Sequence, residues 1–192
     1  SRLSELAHRI HVGEFEASPG DTWAVFLQRM AEGKVVQRRW TIVPGWTVRE
    51  MLQSLQDLPL AHTQGLNKED LPTLLNMPSS YAEGWFLPDT YAFVRGEQDL
   101  ALLKRANDAM QAALAEAWNG RDERLPFRDA EELLIAASLV EKETGHPDDR
   151  GSVAAVFASR LRLGMRLQTD PTVIYGVGPS FDGNLTRKHL RT

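Results

Sequence analysis

Leu133-Leu134-Ile135-Ala136-Ala137-Ser138-Leu139-Val140-Glu141-Lys142-Glu143-Thr144 is the stretch on which the reading of the fold turns. Its first eight residues are apolar on nearly every side, which predicts a buried central helix. Asp129 with Glu132 supplies an N-cap, and Gly145 and Pro147 supply the stop, so the helix ends near Thr144. Working outward, Asp99 caps a helix over Leu100 to Trp118 that stops at Asn119-Gly120. A third helix is expected from about Asp148 to Leu163, ended by Gly164. The tail from Met165 holds one strand-like apolar run, Thr172 to Tyr175.

Toward the N-terminus the pattern changes. Pro19-Gly20-Asp21-Thr22-Trp23 precedes an amphipathic stretch, Ala24 to Ala31, stopped by Gly33. Twenty-five residues later Pro44-Gly45-Trp46-Thr47-Val48 precedes another, Arg49 to Leu58. Each unit reads as a strand, a Pro-Gly turn and a short helix, with strand candidates at His8 to Phe15 and Val35 to Val43. Thr47 and Glu50 form a capping box. A small strand–helix–helix–strand sugar-binding module fits this pattern, and so does a plain α+β scaffold with repeated turn chemistry. Leu60 to Ser80 is polar, punctuated by Pro72 and Pro78, and carries a short helix around Lys68 to Asn76; it reads as a connection.

Composition narrows the function classes. With 192 residues, 42% hydrophobic and 25% charged, the chain is an ordinary globular sequence of one or two small domains. It lacks cysteine, which removes thiol nucleophiles, thiolate metal sites and disulfides. A net charge of −4 is a poor footprint for nucleic acid. The longest apolar run, Leu133 to Ala137, is far below the roughly 20 residues that span a bilayer. The chain opens on Ser1 and has no signal-peptide pattern, so it reads as a piece of a longer protein. His8, His11, His62, His146 and His189 show no metal-ligand spacing, and no phosphate loop, dinucleotide fingerprint or nucleophile elbow is present. No metal and no cofactor are expected.

Three segments carry polar chemistry. In Tyr81-Ala82-Glu83-Gly84-Trp85-Phe86-Leu87-Pro88-Asp89-Thr90-Tyr91, four aromatics and two carboxylates lie on an ordered loop or short edge strand, since Gly84 and Pro88 break regular structure. Ring faces beside carboxylates suit a sugar cleft; they equally suit a loop pinned to the core. In Glu141-Lys142-Glu143, 100° per residue sets the two carboxylates about 160° apart, so they do not face one another across one scissile bond. One working carboxyl and one structural carboxyl are expected. Glu143 lies at the negative helix end, and partial burial there would favour the protonated form that a general acid requires. Ion pairing of both glutamates at a helix end is the plainer alternative. Finally, Gln168-Thr169-Asp170, before Pro171, offers hydroxyl- and amide-recognising groups in a constrained turn.

Glu83 to Tyr91, Ala137 to Thr144 and Gly164-Met165-Arg166-Leu167-Gln168-Thr169-Asp170-Pro171-Thr172-Val173-Ile174-Tyr175-Gly176 together resemble three signature blocks of the YceG-like endolytic murein transglycosylases. The resemblance covers nearly the whole chain. It implies an α+β fold: a LysM-like peptidoglycan-binding subdomain over 1–58, a connection over 59–80 and a mainly helical catalytic domain with short strands over 81–192. The implied chemistry is cleavage of the N-acetylmuramic acid–N-acetylglucosamine bond without water, leaving 1,6-anhydro ends and terminating nascent strands. Glu143 is then the catalytic acid, Glu141 a structural neighbour, and Glu83, Asp89, Tyr91, Gln168, Thr169 and Asp170 the substrate-binding set. The implied partners are peptidoglycan glycan strands and penicillin-binding synthases. The implied location is the periplasmic side of the inner membrane, with an N-terminal membrane anchor in the parent protein. The sequence departs from the family at Ser159, where Asn is usual in the Val156-Phe157-Ala158-Ser159-Arg160-Leu161 stretch. A non-catalytic glycan-binding module, and a hydrolase using Glu83 or Asp89 as a second carboxylate, are the other readings; a pyridoxal-phosphate lyase has little support in the residues around Lys142.

Overall fold

The computed structural model describes residues 10, 13–177 and 186. Among them the chain is α+β and mostly helical, with seven α-helices and a single two-stranded sheet. In order these are α1 (Trp23–Ala31), β1 (Gln37–Thr41), α2 (Val48–Leu55), α3 (Leu71–Leu74), β2 (Thr90–Val94), α4 (Asp99–Asn119), α5 (Ala130–Glu143), α6 (Arg150–Arg162) and α7 (Asp170–Val177). A 3₁₀ turn, Pro147–Asp149, leads into α6. The chain forms two compact units, Ser1–Met110 and Gln111–Thr192, whose boundary falls within α4.

The first unit is built on the antiparallel pair β1–β2, in which Trp40 lies opposite Tyr91 and Arg38 opposite Phe93. Alternation along both strands turns Trp40 and Phe93 into the core and leaves Arg39 and Ala92 exposed. Val48 and Met51, three apart, and Leu55 four further on form the buried stripe of α2. They pack with Leu60, Leu71, Leu75, Ala82, Phe86, Leu102, Leu103 and Ala106 in one cluster. The core therefore runs straight through residues 59–80.

The repeated Pro-Gly turns do the same job twice. Gly20 and Gly45 both take positive φ, 96° and 80°, which a side chain would resist. Two residues on, Thr22 and Thr47 cap α1 and α2 by accepting the N–H groups of Val25 and Glu50. At Thr47 the box closes, because the Glu50 carboxylate accepts the Thr47 N–H at 2.7 Å.

Several expectations need correction. The first strand candidate, His8 to Phe15, lies partly outside the described residues, and its described residues, 10 and 13–15, are not a strand. The partner of β1 is instead β2, directly after the Pro88-Asp89 break, so the strand–helix–helix–strand order occupies 37–94. Thr172 to Tyr175 is helical, not extended: Pro171 is the second residue of α7, where its fixed φ fits and its missing N–H costs nothing. The helix α5 is not a buried central helix. Leu134 is its buried side chain, while Ile135 is 55% exposed and Ala137 and Ser138 are exposed. Alanine and serine made the helix look apolar all round without requiring all-round cover, and α6 and α7 are the described helices that pack on it.

Candidate active site

The last turn of α5 and the turn before α7 meet in the second unit. The Thr169 hydroxyl donates to Glu143 Oε2 at 2.9 Å. Thr169 is 5% exposed, whereas Glu143 is exposed, so the bond joins a buried hydroxyl to a solvent-facing carboxyl. The expected partial burial of Glu143 is thus not observed, because α5 ends at the surface. Among the described residues Glu143 has no cationic partner and its Oε1 carries no hydrogen bond.

The neighbouring glutamate points elsewhere. Glu141 Oε2 accepts from the Arg150 guanidinium at 2.8 Å, a partly exposed ion pair to the start of α6. The helical offset between residues 141 and 143 explains the different partners.

The turn that carries Thr169 is tightly specified. Gly164 ends α6 with φ 65°, and the Met165 N–H returns to the Arg160 carbonyl at 2.9 Å. The Arg160 guanidinium donates to the Leu167 carbonyl. Gln168 takes φ 52°, a left-handed conformation that a non-glycine residue adopts only under constraint. The Thr172 hydroxyl then donates to the Thr169 carbonyl at 2.7 Å, fixing the first turn of α7. Gln168 and Asp170 flank Thr169 and are both exposed. Arg160 was missed by sequence reasoning, which stopped at its neighbour Ser159. The Ser159 hydroxyl donates within the helix to the Ala155 carbonyl at 2.7 Å.

The other expected site residues belong to the first unit. Glu83 Oε2 accepts the Val48 N–H at 3.0 Å and so serves the N-terminus of α2. The Tyr91 hydroxyl donates to the Leu87 carbonyl at 2.7 Å, and its ring tilts against Trp40. Burial, with a smaller contribution from the Asp89 charge, pushes the Tyr91 phenol up to about 12. Asp89 is exposed, with Oδ1 accepting the Thr90 N–H and its carbonyl accepting the Ile42 N–H. The loop itself is tied down: Asn107 Nδ2 donates to the Trp85 carbonyl at 2.8 Å, and Trp85 and Phe86 are buried. Tyr81, 73% exposed, is the loop aromatic that faces solvent. A shallow depression in this unit, lined by Thr63, Gly65, Leu66, Asp70 and Thr73, contains none of these residues. Among the described residues no three His, Asp or Glu side chains gather in a metal-holding group.

The endolytic murein transglycosylase of Bacillus subtilis (strain 168) is 34% identical over 105 residues, 52% of this chain and 28% of that protein. Its namesake from Streptococcus pneumoniae serotype 2 (strain D39) is 32% identical over 111 residues, 57% of this chain and 20% of that protein. The matches therefore span less than a third of either relative's length. A crystal structure of a YceG-like protein from Listeria monocytogenes shares the fold, with a TM-score of 0.61 at 24% identity, covering 100% of this chain and 68% of that one. The model of the YceG-like family matches residues 1–192, and the chain belongs to that family.

Proposed function

We propose that the chain is the glycan-cleaving part of an endolytic murein transglycosylase, with Glu143 as its acid and base. The observation that carries this reading is the split between the two glutamates. Glu141 is neutralised by Arg150, while Glu143 is exposed, held by one hydroxyl and without a cation among the described residues. A reaction whose nucleophile belongs to the substrate needs only one such carboxyl. Glu143 protonates the glycosidic oxygen between N-acetylmuramic acid and N-acetylglucosamine, and the C1–O bond breaks. The muramyl C6 hydroxyl attacks C1 and returns its proton to Glu143, leaving a 1,6-anhydro end. The names of the curated relatives support this chemistry.

In this proposal Gln168 and Asp170, beside Thr169, contact the glycan in the second unit; Glu83, Asp89 and Tyr91 are the proposed glycan-contacting residues of the first unit, taken by itself. In this proposal the LysM-like, second glycan-binding element is residues 1–58, whose strand β1 pairs with β2 beyond that range. No helix among the described residues is long and apolar enough to cross a membrane. The proposed substrate puts the chain on the extracytoplasmic side, with an inner-membrane anchor in the parent protein. Strand-extending penicillin-binding synthases are the partners whose product it terminates.

The test is mass spectrometry of glycan strands after incubation with the protein. Anhydro-muramyl ends are expected; reducing ends would mean a hydrolase, and uncut strands a binding module. Glu143→Gln, close to isosteric, is expected to lower the rate by about 10² to 10⁴ or more with an unchanged melting temperature. Substantial turnover in a folded Glu143→Gln protein would remove Glu143 as the acid.

A further inference from the structure

We propose that Thr169 is a positioning residue that decides which oxygen of Glu143 carries the proton. The inference rests on Glu143 being the acid and goes beyond it, because Thr169 then works through the carboxyl and does not touch the sugar. Three observations bear on it. First, the hydroxyl is already used: it donates to Glu143 Oε2 at 2.9 Å from a residue that is 5% exposed. A side chain so covered presents little to a glycan. Second, the turn is held from both ends, by Arg160 on the Leu167 carbonyl and by Thr172 on the Thr169 carbonyl, with the constrained Gln168 backbone between. Third, Oε1 of the exposed Glu143 has no partner among the described residues.

An oxygen that accepts a hydrogen bond is the poorer place for a proton, so the acid proton resides on Oε1, the oxygen that is not bonded to Thr169. When that proton passes to the glycosidic oxygen, the C1–O bond breaks and Glu143 becomes a carboxylate. The Thr169–Oε2 bond is then charge-assisted and stronger. It therefore stabilises the ionised form that develops as the bond breaks. The C6 hydroxyl closes the ring on C1 and gives its proton to Oε1, which restores the starting acid. No water enters, and Thr169 keeps its own proton throughout.

The experiment compares Thr169→Val, Thr169→Ala and Thr169→Ser in the full chain, scoring anhydro-muramyl ends against pH, with Glu143→Gln alongside. Losing the donor favours the protonated carboxyl, so the descending limb of the kcat profile is expected to move about half a unit or more to higher pH. The plateau kcat is expected to fall about 10-fold or more at unchanged KM, and Thr169→Ser is expected to restore both. If Thr169→Val prevents folding, Thr169→Ala, which introduces no steric conflict, gives the same comparison. A wild-type profile in Thr169→Val or Thr169→Ala overturns the positioning role, as does a loss confined to KM. Equal impairment in Thr169→Ser overturns it too, by assigning the effect to packing. Turnover retained by Glu143→Gln overturns the underlying acid assignment, and with it this role; an inactive Glu143→Gln beside an unaltered Thr169→Val overturns the positioning role alone.

Discussion

Glu141 and Glu143 stand two residues apart on one helix and end in different company. Arg150 takes the first and Thr169 the second. An ion pair whose partners are 30% and 45% exposed is worth about 0.2–1 kcal/mol. Glu141→Gln is therefore expected to lower the melting temperature slightly while leaving specific activity close to wild type, both measured on one preparation. A fully folded, inactive Glu141→Gln protein would reverse the roles of the two residues. The divergence of the pair was legible in the sequence, because helical spacing alone separates their directions. Their partners were not, since Arg150 and Thr169 reach them by tertiary packing that no local pattern encodes. The burial of Glu143 was misread for a related reason: an apolar run before it said nothing about whether the helix end would be covered.

At the scale of elements, the Thr47 and Asp129 caps were legible and strand partners were not; Asp99, expected as a cap, is the first residue of α4 and its carboxylate accepts from Thr63. Thr22 and Thr47 each follow a Pro-Gly turn and each accept an N–H from the first turn of a helix. The chemistry is local, so the sequence carries it in full. A short edge strand was one reading of Tyr81 to Tyr91, but β2 begins only at Thr90 and its partner was hidden, because pairing with β1 bridges some fifty residues that no short-range signal spans. Helix α7 was hidden because Thr172, Val173 and Ile174 are β-branched, a weak preference that Pro171 at the second helical position and the Thr172 hydroxyl on the Thr169 carbonyl override. The two caps also give a graded prediction. Helix α2 has a closed capping box plus the Glu83 carboxylate on Val48, whereas the α1 cap is a single 3.4 Å bond. Thr47→Ala is expected to cost about 1 kcal/mol, and Thr22→Ala clearly less, by chemical denaturation. Equal losses would mean that the box adds nothing to the threonine.

For the whole molecule, the electrostatics set a pH range of stability with two edges. On the acid side, Arg124 holds the Asp122 carboxyl down to about 2. Arg38 lowers Glu14, the Ser18 N–H and then Arg29 lower Asp21, Lys34 lowers Glu32, and Arg128 lowers Glu132. Unfolded carboxyls titrate at about 4, so these groups bind protons more weakly in the folded chain. Their contribution is complete above about pH 5 and is lost as pH falls through 4 toward 2. Glu32 and Asp122 are exposed and Glu14, Asp21 and Glu132 half-buried, so added salt should shrink the effect, most at the first two. The melting temperature is expected to hold level above pH 5 and decline below it, and Asp122→Asn should make that decline shallower. On the alkaline side the sign reverses. Burial raises the Tyr91 phenol to about 12, and an unfolded tyrosine titrates near 10. Between those values the unfolded chain sheds a proton that the folded chain keeps, so stability falls with rising pH. Tyr91→Phe loses the bond to the Leu87 carbonyl and starts from a lower melting temperature, but it has no phenol to ionise. Its melting temperature should therefore fall less steeply than wild type from pH 10 to 12, while lysine deprotonation acts on both proteins alike. Parallel slopes for the two proteins would show that the Tyr91 hydroxyl is not the group that keeps its proton in the fold.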